Sequence, residues 1–151
     1  MARRNCFLLD TNILVHLIRG REIGRAIAAY FNLYGDDVEL LVSVVSIGEV
    51  FALGRQWGWD NRRLGMVRYI IDQTVVVDIN SAPVLRVYSE MDCHSKQNGC
   101  KMGKNDVWIA ATARVNSALL LTTDQDFEHL FPSHLERVLI DPATGHPKAT
   151  S

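Results

Sequence analysis

The run Phe7-Leu8-Leu9 leading straight into Asp10 constrains this chain more than any other stretch. Three apolar residues are too few for a helix face, so they read as a short buried strand ending on a carboxylate. Ligands of open α/β sheets collect at the carboxyl ends of strands, which gives an acid at that place a functional reading. A structural reading stands beside it, in which Asp10 or Asn12 caps a helix over residues 13–18. The company these residues keep has to decide.

Downstream, helical and extended patterns alternate. Helical spacing over residues 23–33 puts Ile23, Ile27, Tyr30 and Phe31 on one side, and residues 39–45 are β-branched enough for a second buried strand. Ser46-Ile47-Gly48-Glu49 matches a capping box, predicting a helix that starts at Ser46 and runs toward Trp57. Residues 60–71 read as another helix, and residues 74–79 as a third strand whose continuous apolar core implies burial on both faces. Ser81 and Pro83 open a helix that fades near Cys93, followed by a polar, glycine-punctuated loop over residues 94–104. A helix over 105–115, a strand over 118–122, a short helix after Thr123 and a last strand over 138–140 complete the pattern. The expected fold is a three-layer α/β/α sandwich with a mainly parallel sheet, residues 1–140 forming one domain and 141–151 a loose tail.

At 151 residues the chain suits one domain that buries roughly 70% of its unfolded surface. With 48% hydrophobic and 22% charged residues and only short apolar runs, it is ordinary for a soluble protein and offers no membrane span. Residues 1–5 carry charge but no apolar core follows them, so no secretory signal is read and a cytoplasmic location is expected. Three irregularly spaced cysteines fit a reducing compartment. A net charge of −1 does not advertise nucleic-acid binding. Two basic groups, Arg19, Arg21 and Arg25, and Lys96, Lys101 and Lys104, can line a phosphate track or simply face solvent.

In a parallel α/β sheet the carboxyl ends of strands and the amino ends of helices share one edge, and four acids fall there. Asp10 ends the first strand, Glu49 lies in the first turn after the second, Asp106 lies in the first turn of its helix, and Asp124 follows the fourth strand. Singly, each has a structural role open to it, as a capping partner, a dipole complement or an Asx turn. Together they repel one another unless a cation sits between them. Oxygen-only ligands favour Mg²⁺ or Mn²⁺ over zinc, and such a site suits hydrolysis of a phosphodiester.

These residues carry a resemblance. Leu8-Leu9-Asp10-Thr11-Asn12, Ser46-Ile47-Gly48-Glu49-Val50, Asn105-Asp106-Val107-Trp108-Ile109-Ala110-Ala111 and Leu121-Thr122-Thr123-Asp124-Gln125-Asp126-Phe127 resemble the PIN-domain family, especially its VapC-type toxin ribonucleases. The resemblance spans about residues 7–140. It implies a Mg²⁺-dependent endoribonuclease, commonly a homodimer, often held by a cognate antitoxin, with RNA as substrate. By position it assigns Asp10, Glu49, Asp106 and Asp124 to an acidic quartet, with Asp10, Asp106 and Asp124 as metal ligands. Asp126 is an auxiliary acid, while Thr11, Asn12 and Thr123 match polar positions near the metal or the scissile phosphate. Lys101 and Lys104 are substrate-contact candidates.

Other readings compete less well. Cys93, His94 and Cys100 lack a fourth ligand and fit no common zinc spacing. No nucleophile elbow or phosphate-cradling loop occurs. A phosphatase of the haloacid-dehalogenase type wants a second Asp where Asn12 stands. Trp57 and Trp59 read as packing or dimer contacts, with base stacking as the other use of an exposed aromatic. A non-toxin RNA-processing nuclease and a non-catalytic binding module of the same fold stay open as alternatives.

Overall fold

The computed structural model of the protein describes residues 5–149, so most of the charged start, residues 1–4, and the last two residues lie outside the described residues. β1 (Asn5–Leu9), β2 (Val38–Ser43), β3 (Val75–Val77), β4 (Leu119–Thr122) and β5 (Arg137–Leu139) form one sheet in the order β3-β2-β1-β4-β5. Every pairing is parallel. The chain builds outward from β1 to β3, then returns to lay β4 on the other side of β1. The order therefore reverses between β1 and β4, and a crevice opens beyond their carboxyl ends.

Alternation along the central strands divides the core. Phe7, Leu9, Leu40, Val42 and Leu121 face α1 (Thr11–Arg19), α2 (Glu22–Phe31), α3 (Val44–Gln56) and α4 (Asn61–Asp72). Leu8, Leu41 and Leu120 face α5 (Ala82–Gln97) and α6 (Lys104–Val115). Three layers result, as expected. Among the described residues no helix is long and apolar enough to cross a membrane.

Four local expectations are corrected. β2 ends at Ser43, whose hydroxyl accepts from the Val45 amide at 3.2 Å and caps α3, so the helix starts before Ser46. α5 continues to Gln97, leaving only a short turn before α6. β3 is an edge strand with Val75 and Val76 about half exposed, because its β-branched run is paired on one side only. Residues 141–149 turn back along β5 rather than hang loose: Asp141 N donates to His146 O and Lys148 N to Leu139 O, both at 2.8 Å. Gly145 makes that return, with φ of 76° and a hydrogen where any Cβ would lie 2.9 Å from Ala26 Cβ.

Candidate functional site

Asp10 is the N-cap of α1 and is 3% exposed. Its Oδ1 accepts from the Thr11 amide at 2.8 Å and its Oδ2 from the Thr122 hydroxyl at 2.7 Å, which ties β1 to β4 across the crevice. The capping and functional readings of this residue are thus compatible, since each oxygen keeps a second lone pair. Burial, more than any neighbour, raises its carboxyl to about 6, with Thr122 and the Thr11 amide pulling the other way and the charges of Asp124 and Glu49 adding to the rise.

Asp106 sits in the first turn of α6 and is pushed up to about 7, first by burial and then by the charges of Asp10, Asp124, Glu49 and Asp126. Asp124 follows β4; its backbone amide donates to Thr122 Oγ1 at 2.9 Å, and its Oδ1 accepts from the Asp126 amide at 2.8 Å. That Asx turn starts a 3-10 helix, Gln125–Leu130, and swings Asp126 back toward the crevice. One carboxylate oxygen from each of Asp106, Asp124 and Asp126 lies within 4.8 Å of the others. Asp126, an auxiliary acid by sequence, is therefore part of the tightest group, while Asp10 lies just outside it, anchored by two hydrogen bonds.

Glu49 reaches the site by a different route from the one its capping-box spacing suggests. Because α3 starts at Val44, Glu49 is in the second turn, where its Oε1 accepts from the Thr11 hydroxyl at 2.7 Å. The same hydroxyl lies 2.9 Å from Ser46 Oγ, which is buried inside the helix instead of capping it. Thr11 thus orients two acids, Asp10 through its backbone and Glu49 through its side chain. Glu49, Lys104, Asn105 and Asp106 line one shallow open depression.

The remaining candidates scatter. Asn12 is exposed and Thr123 half-buried. Lys104 borders the depression, but its ammonium binds Asp92 at 3.1 Å, and Lys101 is exposed in the turn before α6. Thr122 was missed by sequence reasoning; a lone hydroxyl ending an otherwise apolar buried strand was the available signal. Cys93 and Cys100 are free thiols outside the acid group, and His94 stacks on His134 with ring centres 4.0 Å apart.

A family model described as the PIN domain matches residues 7–130. This chain belongs to the PIN-domain family. Its relatives carry the VapC name: Ribonuclease VapC2 of Haemophilus influenzae is 21% identical over 131 residues, covering 86% of this chain and 96% of the relative. Among solved structures, VapBC2 from Rickettsia felis bound to a DNA fragment from its promoter superposes with a TM-score of 0.74 at 20% identity, covering 87% of this chain and 96% of that one. VapBC-1 from nontypeable Haemophilus influenzae gives 0.72 at 22% identity, covering 89% and 97%. VapBC-5 from Mycobacterium tuberculosis, a member of a toxin-antitoxin family, gives 0.66 at 19%, covering 89% and 98%. At these identities the likeness establishes the PIN fold, and the acids of this PIN domain must speak for its chemistry.

Proposed function

We propose that this PIN domain is a Mg²⁺- or Mn²⁺-dependent endoribonuclease acting as the toxin of a toxin-antitoxin pair. The observation that carries the reading is the convergence of the Asp106, Asp124 and Asp126 carboxylates, with Asp10 and Glu49 beside them, at the crevice between β1 and β4. The donor set fits a hard divalent cation: all of it is carboxylate oxygen, and among the described residues none of these acids is paired with a lysine or arginine. The chemistry such a cation would supply there is to offset charge on the phosphoryl and leaving oxygens of a phosphodiester.

The chain's own residues supply the rest. Asp106, Asp124 and Asp126 would hold the cation, and Asp10 would add a fourth carboxylate whose direction Thr11 and Thr122 set. Glu49, whose Oε1 accepts from the Thr11 hydroxyl, would take the proton of the attacking water. Single-stranded or looped RNA is the substrate, since an unpaired strand bends into a narrow cleft more easily than an A-form duplex. The names of the relatives support an antitoxin partner. A homodimer rests on the resemblance, and a dimer mass in light scattering at micromolar concentration is the expected result.

The test is cleavage of single-stranded RNA by purified protein, abolished by EDTA and restored by Mg²⁺ or Mn²⁺. Undiminished cleavage in chelator overturns the metal-dependent reading. Sequencing RNA 5′ ends after brief induction in a bacterial host then separates toxin from housekeeping nuclease. New cleavage sites and growth arrest, both absent with Asp10→Asn and relieved by a small protein encoded alongside, are the toxin result.

A further inference from the structure

Without its cation an acidic crevice repels the polyanion it is proposed to cut, so a basic surface elsewhere would add affinity. Lys96 and Lys104 are committed to Asp92, Arg114 to Glu90 and Arg137 to Glu128. Among the described residues, Arg19, Arg55, Arg62, Arg63 and Arg68 have no carboxylate within 4.0 Å; the first four gather where α1 and α3 end and α4 begins, and Arg68 lies farther along α4. They line two depressions of about 400 and 370 Å³ on either side of α4, one holding Arg19, Arg62 and Arg63, the other Arg55 and Arg68, and Trp57 joins the two by lying against Arg19 of the first and beside Trp59 of the second. Among the described residues Asp60 is the one acid lining either, and its Oδ1 is occupied as the cap of α4.

The same surface carries an aromatic platform. The Arg19 guanidinium lies over Trp57, 4.7 Å from the ring centre, and Trp57 is 47% exposed. Trp59 stands 5.7 Å from Trp57 and is seated on Gly54, where a Cβ would come within 2.9 Å of the indole. Arg63 donates to the Ile18 carbonyl at 3.1 Å and fixes the end of α1 against α4. Unpaired guanidiniums interleaved with exposed indole are what a single strand needs, since phosphates take the charge and any base can stack.

We infer that the arginine surface around Trp57 is a docking site for single-stranded RNA, binding its phosphates through Arg19, Arg55, Arg62, Arg63 and Arg68 and stacking a base on Trp57. The inference rests on the nuclease reading for the identity of the ligand. Glu49 and Trp57 are eight residues apart on one helix and its cap, so docking and acid sites are about 12 Å apart along α3. A strand held at Trp57 reaches the crevice over that distance.

The experiment measures binding of a fluorescein-labelled single-stranded RNA by anisotropy in EDTA, where no cleavage is expected, across a salt series. R19Q/R62Q/R68Q is expected to weaken binding about tenfold or more and to flatten the slope of log affinity against log salt by about 2, at roughly 0.7 per phosphate contact. Trp57→Ala is expected to cost about tenfold and Trp57→Phe to restore most of it, which separates stacking from folding. In Mg²⁺ the arginine variant raises KM for long RNA and leaves kcat unchanged. Unchanged affinity and salt slope in the arginine variant overturn the inference while leaving the nuclease reading intact. RNA binding that is lost in the variants, in a protein that cuts nothing, supports it and defeats the nuclease reading. Lost binding of poly-L-glutamate with unchanged RNA binding reassigns the surface to an acidic protein partner and also overturns it.

Discussion

The acidic crevice and the arginine surface gather like charges in opposite ways. At the crevice Asp10 is buried and locked by short hydrogen bonds, Asp106, Asp124 and Glu49 are half-buried and Asp126 is exposed; burial together with mutual repulsion lifts Asp10 to about 6 and Asp106 to about 7. On the arginine surface Arg19, Arg55, Arg62 and Arg68 are exposed to water, and Arg63 is half-buried. Solvent screens the arginines, so they coexist at little cost and bind weakly and diffusely. The carboxylates are held close against their repulsion and call for one small, highly charged counter-ion.

The largest expected effect breaks the crevice. Asp106→Asn or Asp10→Asn should reduce RNA cleavage by about a thousandfold, the scale of losing a principal electrostatic contributor to a transition state. In EDTA at pH 7.5 the Asp106→Asn protein should melt about 2–4 °C higher than wild type, because one repelling charge is gone. Activity that survives with unchanged melting would reduce these acids to helix caps.

Metal and pH come next. At a hundredfold excess of Mg²⁺ over its Kd, calorimetry should show about 2.7 kcal/mol of stabilisation at pH 7.5, falling toward zero as the acids protonate. Because the Asp10 and Asp106 carboxyls are raised above 3.8, the folded chain binds more protons than the unfolded chain between about pH 4 and 7. Their contribution to stability in chelator therefore falls as pH rises through that window. His16 and His134, both lowered in the folded state, slope the opposite way, so the difference between wild type and Asp106→Asn isolates the acid.

Thr122→Val is a smaller perturbation inside the crevice. It removes the donor to buried Asp10 Oδ2 and should cost about 1–3 kcal/mol in denaturant melts at pH 7.5, with Asp10 raised further; adding Asp10→Asn should recover part of that loss. The smallest effect is at the rim. Lys101→Met should raise KM about twofold and Lys104→Met less, since the Lys104 ammonium is already shared with Asp92 and exposed ion pairs are worth only about 0–1 kcal/mol.

Periodicity determined the parallel α/β class, since apolar strands and amphipathic helices announce themselves within a few residues. It also placed Asp10, Asp106 and Asp124 at strand and helix ends. Local pattern misled where two solutions were chemically equivalent: Ser43 and Ser46 are both good caps, and only the pairing of Ser43 with Val77 and the packing of Ser46 against Thr11 decide that α3 starts at Val44. That choice turns Glu49 from the acidic half of a capping box into a side chain held by Thr11, 38 residues away.

Strand order was the other decision beyond local pattern. A continuous valine run looks the same at the centre of a sheet and at its edge, so the exposure of Val75 and Val76 follows from β3 being last in the order. Placing β4 beside β1 brings Thr122 to Asp10 across 112 residues of chain, and the turn after it sets Asp126 among the metal-ligand candidates. The arginine surface likewise collects residues from α1, α3 and α4 that form no run in the chain. The sequence by itself determined which residues could be charged, buried or extended, because those preferences act over a turn or a strand. The tertiary structure decided which of them meet, because contact between distant segments depends on sheet order and helix packing rather than on any residue's neighbours.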